Sequence, residues 1–284
     1  MIESRLHLST DAVAHHYDEL DRFYREIWGE HVHHGLWLRR GDPPEKATRQ
    51  LVDLVAHHAE VKAGSRVCDA GCGYGAAARI LAGELGAEVT GITLSPAQFR
   101  FAVQTAPGSS NPSYLLGDWL QNPLPDESFD SVIAVESSEH MPDKPAFFAQ
   151  ARRLVRPGGR LVICSWLARE GASAWEDRLL LEPICREGRM PSIGTAAEYK
   201  RFFESAGFVV DHFEDLSARV KKTWPICAGR FVSNLVRKPA YLKFLLNGHS
   251  HNRIFALTIF RIWLAYNIGS IQYGIFAGRK RQKS

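Results

Sequence analysis

Between residues 65 and 166, short runs of apolar residues alternate with segments whose apolar positions recur at helical spacing. Short apolar runs bounded by turn residues are typical of buried strands, and the periodic segments are typical of amphipathic helices. Strands that alternate with helices predict right-handed crossovers, and therefore a doubly wound, mostly parallel α/β sheet. The predicted strands are 65–70, 87–94, 112–118, 129–137 and 160–166, and the predicted helices are 75–85, 95–106 and 143–155.

Two helix ends in this region carry specific signals. Ser95 and Pro96 stand where the second helix begins, which suits a side-chain cap followed by a proline at the first helical position. The third helix is expected to end at a turn formed by the Arg-Pro-Gly-Gly segment, 156–159.

The two ends of the chain depart from this alternation. An amphipathic helix is predicted over 195–208, a strand near 208–216 and a final strand over 270–279. The first 60 residues and the aromatic-rich helical stretch 220–267 have no place in the sheet pattern. We therefore expect both segments to cover the face of the sheet at which a ligand binds.

One long apolar stretch, 254–276, is long enough to suggest a membrane span. Arg261 and Asn267 interrupt it and Gly269 divides it, so we predict a buried helix followed by a buried strand instead. The N-terminus lacks the apolar segment of a signal peptide, and we expect a cytoplasmic protein. Peripheral membrane contact stays open, because apolar substrates are often dissolved in bilayers.

Composition narrows the range of functions only a little. The chain has 284 residues, of which 45% are hydrophobic, and a formal net charge of +4. No basic stripe interleaved with aromatic residues is present, so nucleic acid is not an expected partner. The basic residues of the tail, 278–284, are expected to be solvated.

The richest chemical signal is the glycine loop that follows the first strand of this region. Gly71, Gly73 and Ala76 match a dinucleotide fingerprint, whereas the lysine that a P-loop requires is missing. Asp69 precedes the first glycine, where a carboxylate would repel a pyrophosphate. The second strand also ends without the acidic residue that would bind a ribose. The loop therefore favours a ligand with a positive group, such as S-adenosylmethionine.

Five segments, VCDAGCGYG, VTGITLSPAQ, LLGDWL, FDSVIAVESSEHMPDK and LVRPGGRLVI, resemble the ordered motifs of class I S-adenosylmethionine-dependent methyltransferases. Residues 16–37, with GITLSPAQ and ESSEHMPDK, are similar to the γ-tocopherol methyltransferase group, which is related to sterol and cyclopropane-forming methyltransferases. The match covers nearly the whole chain and is weakest over 167–267. It implies a Rossmann-like, seven-stranded sheet with a helical cap. The expected parts are a lid (1–60), a cofactor-binding core (61–219) and a substrate cap with the final strand (220–284).

The resemblance also implies which residues bind S-adenosylmethionine. Asp69 and the backbone at Gly71 and Gly73 should hold its methionine end. Asp118 should accept from the adenine amino group and Trp119 should pack on the ring, although the former could cap a turn and the latter could be core. Thr93, Leu94 and Gln98 should meet the ribose, and Tyr17 should lie over the cofactor carboxylate.

The loop after the fourth of these strands carries the candidate catalytic groups Glu136, Glu139 and His140. Carboxylates and histidines are the usual bases where an acceptor must lose a proton. This spacing is similar to plant benzylisoquinoline N-methyltransferases and to the Glu-His pair of cyclopropane synthases. Glu136 could instead shape the cofactor pocket, and His140 could be a packing residue.

A second histidine cluster, residues 31–34, lacks a third ligand at metal-binding spacing, and we expect no metal there. The resemblance makes this segment part of the lid.

The expected reaction transfers a methyl group to O, N or C of a hydrophobic small molecule of prenylated-phenol, terpenoid or alkaloid type, in secondary metabolism. The alternatives are C-methylation of a prenyl diphosphate or a sterol-like alkene and, from another class, an NAD-dependent oxidoreductase. Arg219, Lys221, Lys222 and Arg230 could bind a diphosphate, although a solvated charge run is the alternative interpretation. The oligomeric state is not predicted.

We predict that the purified protein binds S-adenosylhomocysteine saturably in a calorimetric titration, because the glycine loop and Asp69 suit its zwitterionic end. NADH should give no saturable heat in a parallel titration. Binding of NADH alone would contradict the interpretation of Asp69 and favour the oxidoreductase.

Overall fold

The computed structural model describes residues 1–6, 8–106, 108, 110–246 and 255–282. Of residues 255–257 it describes only the backbone. Seven strands form the central sheet: β2 (Arg66–Ala70), β3 (Glu88–Thr93), β4 (Ser113–Leu116), β5 (Phe129–Val135), β6 (Val155–Ala168), β8 (Phe208–Asp215) and β9 (Ile271–Lys280). Their order across the sheet is β4-β3-β2-β5-β6-β9-β8. Two short strands, β1 (Ile2–Glu3) and β7 (Ser192–Ile193), pair antiparallel elsewhere.

The first five strands of the sheet run parallel, and β9 runs antiparallel to both β6 and β8. This arrangement confirms the predicted doubly wound, mostly parallel, seven-stranded α/β fold. The strand order reverses between β2 and β5, and ligands bind beyond the carboxyl ends of the strands at such a point. The glycine loop follows β2 and therefore lies at this point.

Helices flank the sheet and extend beyond its ligand face. The longer ones are α1 (Thr10–Ile27), α2 (Pro44–His58), α3 (Ala76–Gly83), α4 (Pro96–Gln104), α5 (Lys144–Leu154), α8 (Ala196–Ser205), α10 (Thr223–Arg237), α11 (Pro239–Leu246) and α12 (Phe255–Ile268). The shorter ones are α6 (Ala174–Glu176), a π-helical turn (Asp177–Leu181), α7 (Glu182–Glu187), α9 (Ser217–Val220) and the 3₁₀ turns Trp119–Gln121 and Ser138–His140. The region around α6 and α7 carries no motif, and the sequence did not predict these helices.

Buried side chains alternate along the central strands β2 and β5 between two hydrophobic clusters. Val67 and Ile133 belong to one cluster, whereas Cys68 and Val132 belong to the other. Residues of α2, α3, α10 and α12 join the first cluster, and residues of α5 and α8 join the second. Because successive strand residues point to opposite faces, both faces of the sheet are covered by helices.

The local signals in the sequence have mixed outcomes. Ser95 caps α4 as predicted, since its hydroxyl accepts from the Gln98 N–H at 3.1 Å. The predicted turn at 156–159 is wrong, because β6 already begins at Val155. Val155 pairs with Phe129 while Arg160 pairs with Ser131, so the intervening residues bulge out of the ladder. Gly158, at φ +76°, permits this bulge within the strand.

Within its described residues, the apolar stretch 254–276 contains α12 followed by β9, a helix and a strand as predicted. The strand is buried, but α12 is buried on one side only, since Phe260 and Trp263 are exposed. Among those residues, no helix combines the length and hydropathy needed to cross a bilayer. Part of the predicted lid, α2, packs Leu51 and Val55 into the main core. The division into lid, core and cap stays a prediction.

We predict that Phe276→Ala lowers the free energy of unfolding by about 3–5 kcal/mol, because the ring is fully buried in β9. It packs against Tyr199, Phe203 and Phe213, at centroid distances of 5.4, 6.1 and 4.7 Å. Urea denaturation measures the change. The matched control Val209→Ala, on the exposed side of β8, should cost less than about 1 kcal/mol, and equal losses would contradict this account of the core.

Candidate active site

Two adjoining cavities lie beyond the carboxyl ends of the strands. The first, which we term the cleft, encloses about 630 Å³ of empty space including its mouth, and the second, the aromatic cavity, about 690 Å³. Tyr17, Val32, Glu136 and His140 line both. These residues therefore mark a junction at which a molecule in one cavity would meet a molecule in the other.

The cleft brings together most of the predicted cofactor residues. Those that line it are Tyr17, Gly71, Gly73, Thr93, Leu94, Gln98 and Trp119. Gly71 has φ +84°, and a Cβ atom there would lie 2.3 Å from Cβ of Ser137. Only glycine fits this position, so the loop backbone can pass directly over the end of β5.

Asp69, at the end of β2, lines a smaller cavity that adjoins the cleft, together with Gly71 and Gly73. Its carboxylate is buried, and no hydrogen bond to a described residue satisfies it. Burial raises the pKa of Asp69 to about 7. A buried carboxylate without a partner beside an open backbone cradle fits a ligand with a cationic group such as an ammonium.

Gln98 is held in place by its neighbours. Thr93 donates its hydroxyl to Oε1 of Gln98 at 2.9 Å, so the amide nitrogen is left on the side of Gly73. This arrangement places an amide donor in the cleft, between the loop that follows β3 and the glycine loop.

The structure places Asp118 and Trp119 differently from each other. Asp118 does not line the cleft, and its Oδ1 accepts from the N–H of Leu120 at 2.9 Å, as a capping residue does. Trp119 is almost completely buried and donates Nε1–H to the carbonyl of Phe147 at 3.2 Å, while one edge lines the cleft. Their contacts with an adenine ring stay predictions.

Helix α1 is fastened over the cleft by two aspartates. Asp18 accepts from the Ser95 hydroxyl at 2.5 Å and from the Ala97 N–H at 3.1 Å, at the N-terminus of α4. A carboxylate at a helix N-terminus is favourable because it meets free N–H groups. Asp21 accepts from the Tyr74 hydroxyl of the glycine loop at 2.8 Å. Sequence reasoning missed both residues, since neither belongs to a motif.

Glu136 is the most heavily bonded side chain at the junction. Oε1 accepts from the backbone N–H of His34 at 2.6 Å, from its Nδ1–H at 2.9 Å and from the Tyr273 hydroxyl at 2.8 Å. Oε2 accepts from Nε1–H of Trp166 at 2.9 Å. Burial would raise the pKa of Glu136, but His34 lowers it to about 2. The residue also has φ +53°, and these four bonds hold that strained backbone.

The protonation of His34 follows from its partners. Trp224 donates Nε1–H to Nε2 of His34 at 2.9 Å, and an indole N–H can only donate. Nε2 is therefore unprotonated, and the ring proton sits on Nδ1, facing Glu136. The sequence singled out this histidine only within the 31–34 cluster, because its partners come from distant segments.

Glu139 lines the aromatic cavity but not the cleft. Its oxygens accept from the Trp166 N–H at 2.6 Å and from the Ser138 hydroxyl at 3.2 Å. Burial raises the pKa of Glu139 to about 7. The buried Lys144 donates to the carbonyls of Glu139 and Met141, at 3.1 and 2.8 Å, and so fixes the turn that carries both candidate bases.

His140 presents an acceptor nitrogen to the junction. Its Nδ1 lies 3.1 Å from the carbonyl of Arg189, so Nδ1 carries the proton. Nε2 then accepts from the hydroxyl of Tyr17, at 2.9 Å. Burial lowers the pKa of His140 to about 4, so the ring is neutral at ordinary pH.

The other two histidines of the 31–34 cluster bond to each other. Nδ1 of His31 lies 3.0 Å from Nε2 of His33, whose Nδ1 donates to the carbonyl of His34 at 2.8 Å. Over the described ranges of the chain, no group of three or more His, Cys, Asp or Glu side chains is arranged to hold a metal ion.

Residues 5–242 match the family described as mycolic acid cyclopropane synthetase. The chain belongs to this family. It is 29% identical to a 2-methyl-6-phytyl-1,4-hydroquinone methyltransferase of Synechocystis, over 97% of this chain and 90% of that protein. It is 33% identical to a chloroplastic tocopherol O-methyltransferase of Arabidopsis thaliana, over 75% of this chain and 67% of that protein.

The fold is shared with solved members of the family. A mycolic acid cyclopropane synthase in complex with SAH and CTAB superimposes with a TM-score of 0.84, at 20% identity, over 98% of this chain and all of the other. The chain is thus an S-adenosylmethionine-dependent methyltransferase, and the oxidoreductase alternative is set aside. The cofactor supplies the methyl group on a sulfonium, and the cleft fits it together with the adjoining cavity that Asp69 lines.

For this methyltransferase we predict that the affinity for S-adenosylhomocysteine rises with pH up to about 7, the value to which burial raises the pKa of Asp69. Below that pH a growing fraction of the carboxyl is protonated and cannot pair with an ammonium. Affinity should therefore fall by up to about tenfold per pH unit. Calorimetric titration between about pH 5.5 and 8 measures this dependence.

The matched variants are Asp69→Asn and Asp118→Asn. The first should bind weakly with a flat pH profile, because no titrating carboxyl remains beside the glycine loop. The second should keep the slope of the parent. A slope that survives in Asp69→Asn would assign the titration to another group.

Proposed function

We propose that the enzyme methylates the oxygen of a phenolic hydroxyl on an apolar, prenylated molecule, with His140 as the base. The observation that carries this proposal is the unprotonated Nε2 of His140 at the junction of the two cavities. A hydroxyl of the acceptor would replace that of Tyr17 at Nε2. It would pass its proton to Nε2 as its oxygen gains the methyl group.

The two glutamates are less suited to accept that proton. Four donors occupy the oxygens of Glu136, so its carboxylate is committed to His34, Trp166 and Tyr273. Glu139 is engaged by Trp166 and Ser138 and does not reach the cleft. We assign Glu136 to positioning His34 and the junction, and Glu139 to the wall of the aromatic cavity.

The walls of the aromatic cavity favour an apolar acceptor. Aromatic side chains from several elements line it: Tyr17, Tyr24, Trp28, His34, Trp166 and Trp224. Among the described residues no Lys or Arg lines it, although a diphosphate would require such cations. Arg219 pairs with Glu214, Lys222 donates to the carbonyl of Arg40, Arg230 binds Glu45, and Lys221 is exposed. A prenyl diphosphate is therefore disfavoured as the acceptor.

The reported relatives support the phenolic assignment, since the hydroquinone and the tocopherol of their names both carry a hydroxylated ring. For the cofactor we propose the roles that the resemblance implies. Asp69, Gly71 and Gly73 hold the methionine end, with Tyr17 over its carboxylate. Thr93, Leu94 and Gln98 meet the ribose, and Asp118 and Trp119 meet the adenine. The role in secondary metabolism and the cytoplasmic location stay predictions.

We predict that His140→Gln slows methyl transfer to a short-chain prenylated hydroquinone by about 100-fold or more, because general base catalysis contributes that much. Affinity for S-adenosylhomocysteine should change less than about threefold, since the substitution leaves the glycine loop intact. Single-turnover kinetics, followed by the mass increase of the acceptor, measure the first quantity, and calorimetry measures the second.

His16→Gln is the matched control, because this buried histidine also bonds a tyrosine, Tyr24, in the aromatic cavity but does not line the cleft. It should retain turnover within about fivefold. Glu139→Gln should do the same if that side chain is only part of the wall. Equal losses in the His140 and His16 variants, or methyl uptake by an alkene but not by the phenol, would overturn the proposal.

A further inference from the structure

The charges of this protein are divided sharply along the chain. No Asp or Glu follows Asp215, whereas 13 Lys and Arg do. Residues 1–215 carry 22 Lys and Arg against 31 Asp and Glu. The small net charge of +4 therefore conceals an acidic part and a strongly basic part, and helices α10, α11 and α12 all lie in the basic part.

These three helices also expose large apolar side chains. α10 packs against both α11 and α12, and each helix presents at least two such residues to solvent. We term this set the cap face; it comprises Val232, Val236, Leu242, Leu246, Phe260 and Trp263, which are 41–83% exposed. Exposed apolar side chains that cluster on neighbouring helices indicate an interaction surface.

Two cations directly follow cap-face residues along the chain, Arg237 after Val236 and Lys243 after Leu242. Arg237 and Lys243 are exposed and form no ion pair with any residue that the structure describes. By contrast, Lys238 pairs with Glu26 at 3.0 Å and Arg230 with Glu45 at 3.1 Å. The unpaired cations can therefore meet anions supplied by another surface.

Helix α12 connects this surface to the aromatic cavity. Thr258 and Ile262, one turn apart, line the cavity, while Phe260 and Trp263 point to solvent. The latter two rings stack at 5.7 Å. One side of the helix is therefore a wall of the cavity, and the other side belongs to the cap face.

We propose that the cap face docks on the surface of an anionic lipid bilayer, from which the enzyme draws its apolar acceptor. This proposal deepens the proposed function, because it names the source of the acceptor. Exposed aliphatic and aromatic side chains suit the acyl boundary, and Arg237 and Lys243 suit lipid phosphates.

Other occupants fit the cap face less well. A second copy of the chain would bring Arg237 and Lys243 against a face that is equally basic. An acidic protein would satisfy the cations but would not require a Trp and a Phe beside four exposed aliphatic side chains. A bilayer with anionic headgroups satisfies both features at once.

Vesicle sedimentation tests the proposal with the full chain and without cofactor or acceptor. The two probes are vesicles of phosphatidylcholine and vesicles that also contain about 30 mol% phosphatidylglycerol. We expect at least about tenfold tighter binding to the anionic vesicles, weakening as salt rises above about 0.1 M. Arg237→Gln with Lys243→Gln, and separately Leu242→Ser with Leu246→Ser, should each weaken binding about fivefold or more.

The matched controls change the same residue types at exposed positions elsewhere. Lys62→Gln with Arg100→Gln is the control for the two cations, and Leu38→Ser is the control for the two leucines. They should bind like the parent, and circular dichroism verifies the fold of every variant. Equal binding to both vesicle types, or no effect of either cap-face variant, would overturn the proposal. Equally tight binding to polyglutamate would also overturn it. So would a dimer, detected by sedimentation velocity, that is lost in the variant carrying both Leu242→Ser and Leu246→Ser.

A failure of the membrane-docking proposal can be distinguished from a failure of the proposed function. Methyl transfer to a detergent-dispersed, short-chain phenol needs no bilayer. An enzyme that is active in detergent but indifferent to vesicles would refute the cap face alone.

Discussion

A single carboxylate, that of the largely buried Glu136, joins the parts of the structure that surround the junction. It sits at the end of β5 and accepts hydrogen bonds from His34 before α2, Trp166 in β6 and Tyr273 in β9. Through His34 the network continues to Trp224 in α10 and Tyr266 in α12. An ionised carboxylate taken out of water must be satisfied by donors, so this residue determines how these segments meet.

The same exclusion of water gives the neighbouring titratable groups different pKa values. Burial raises the pKa of both Asp69 and Glu139 to about 7 and lowers that of His140 to about 4, whereas His34 holds the pKa of Glu136 at about 2. Groups of the same type thus differ through their surroundings, which is how a site obtains distinct acids, bases and fixed charges. The site combines a neutral imidazole, an anionic anchor and a carboxylate ready to receive a cation.

Much of the fold could be predicted because its signals are local. Apolar runs located the strands of the parallel half of the sheet, and Ser95 marked the start of α4. The bulge at 156–159 was mistaken for a turn, since Pro and Gly serve both purposes and only pairing with β5 distinguishes them. Several cleft residues could be predicted too, because Gly71, Gly73 and Leu94 lie just beyond the ends of β2 and β3.

The sequence by itself determined the sheet, the glycine loop and the loop that carries Glu136, Glu139 and His140, since each depends on residues that are close along the chain. Only the tertiary structure decided which of these groups faces the junction of the two cavities with an unprotonated nitrogen. Tyr17, Arg189 and His140 come together from distant segments, as do His34 and Glu136. Protonation and hydrogen-bonding capacity depend on such contacts, which no local pattern encodes.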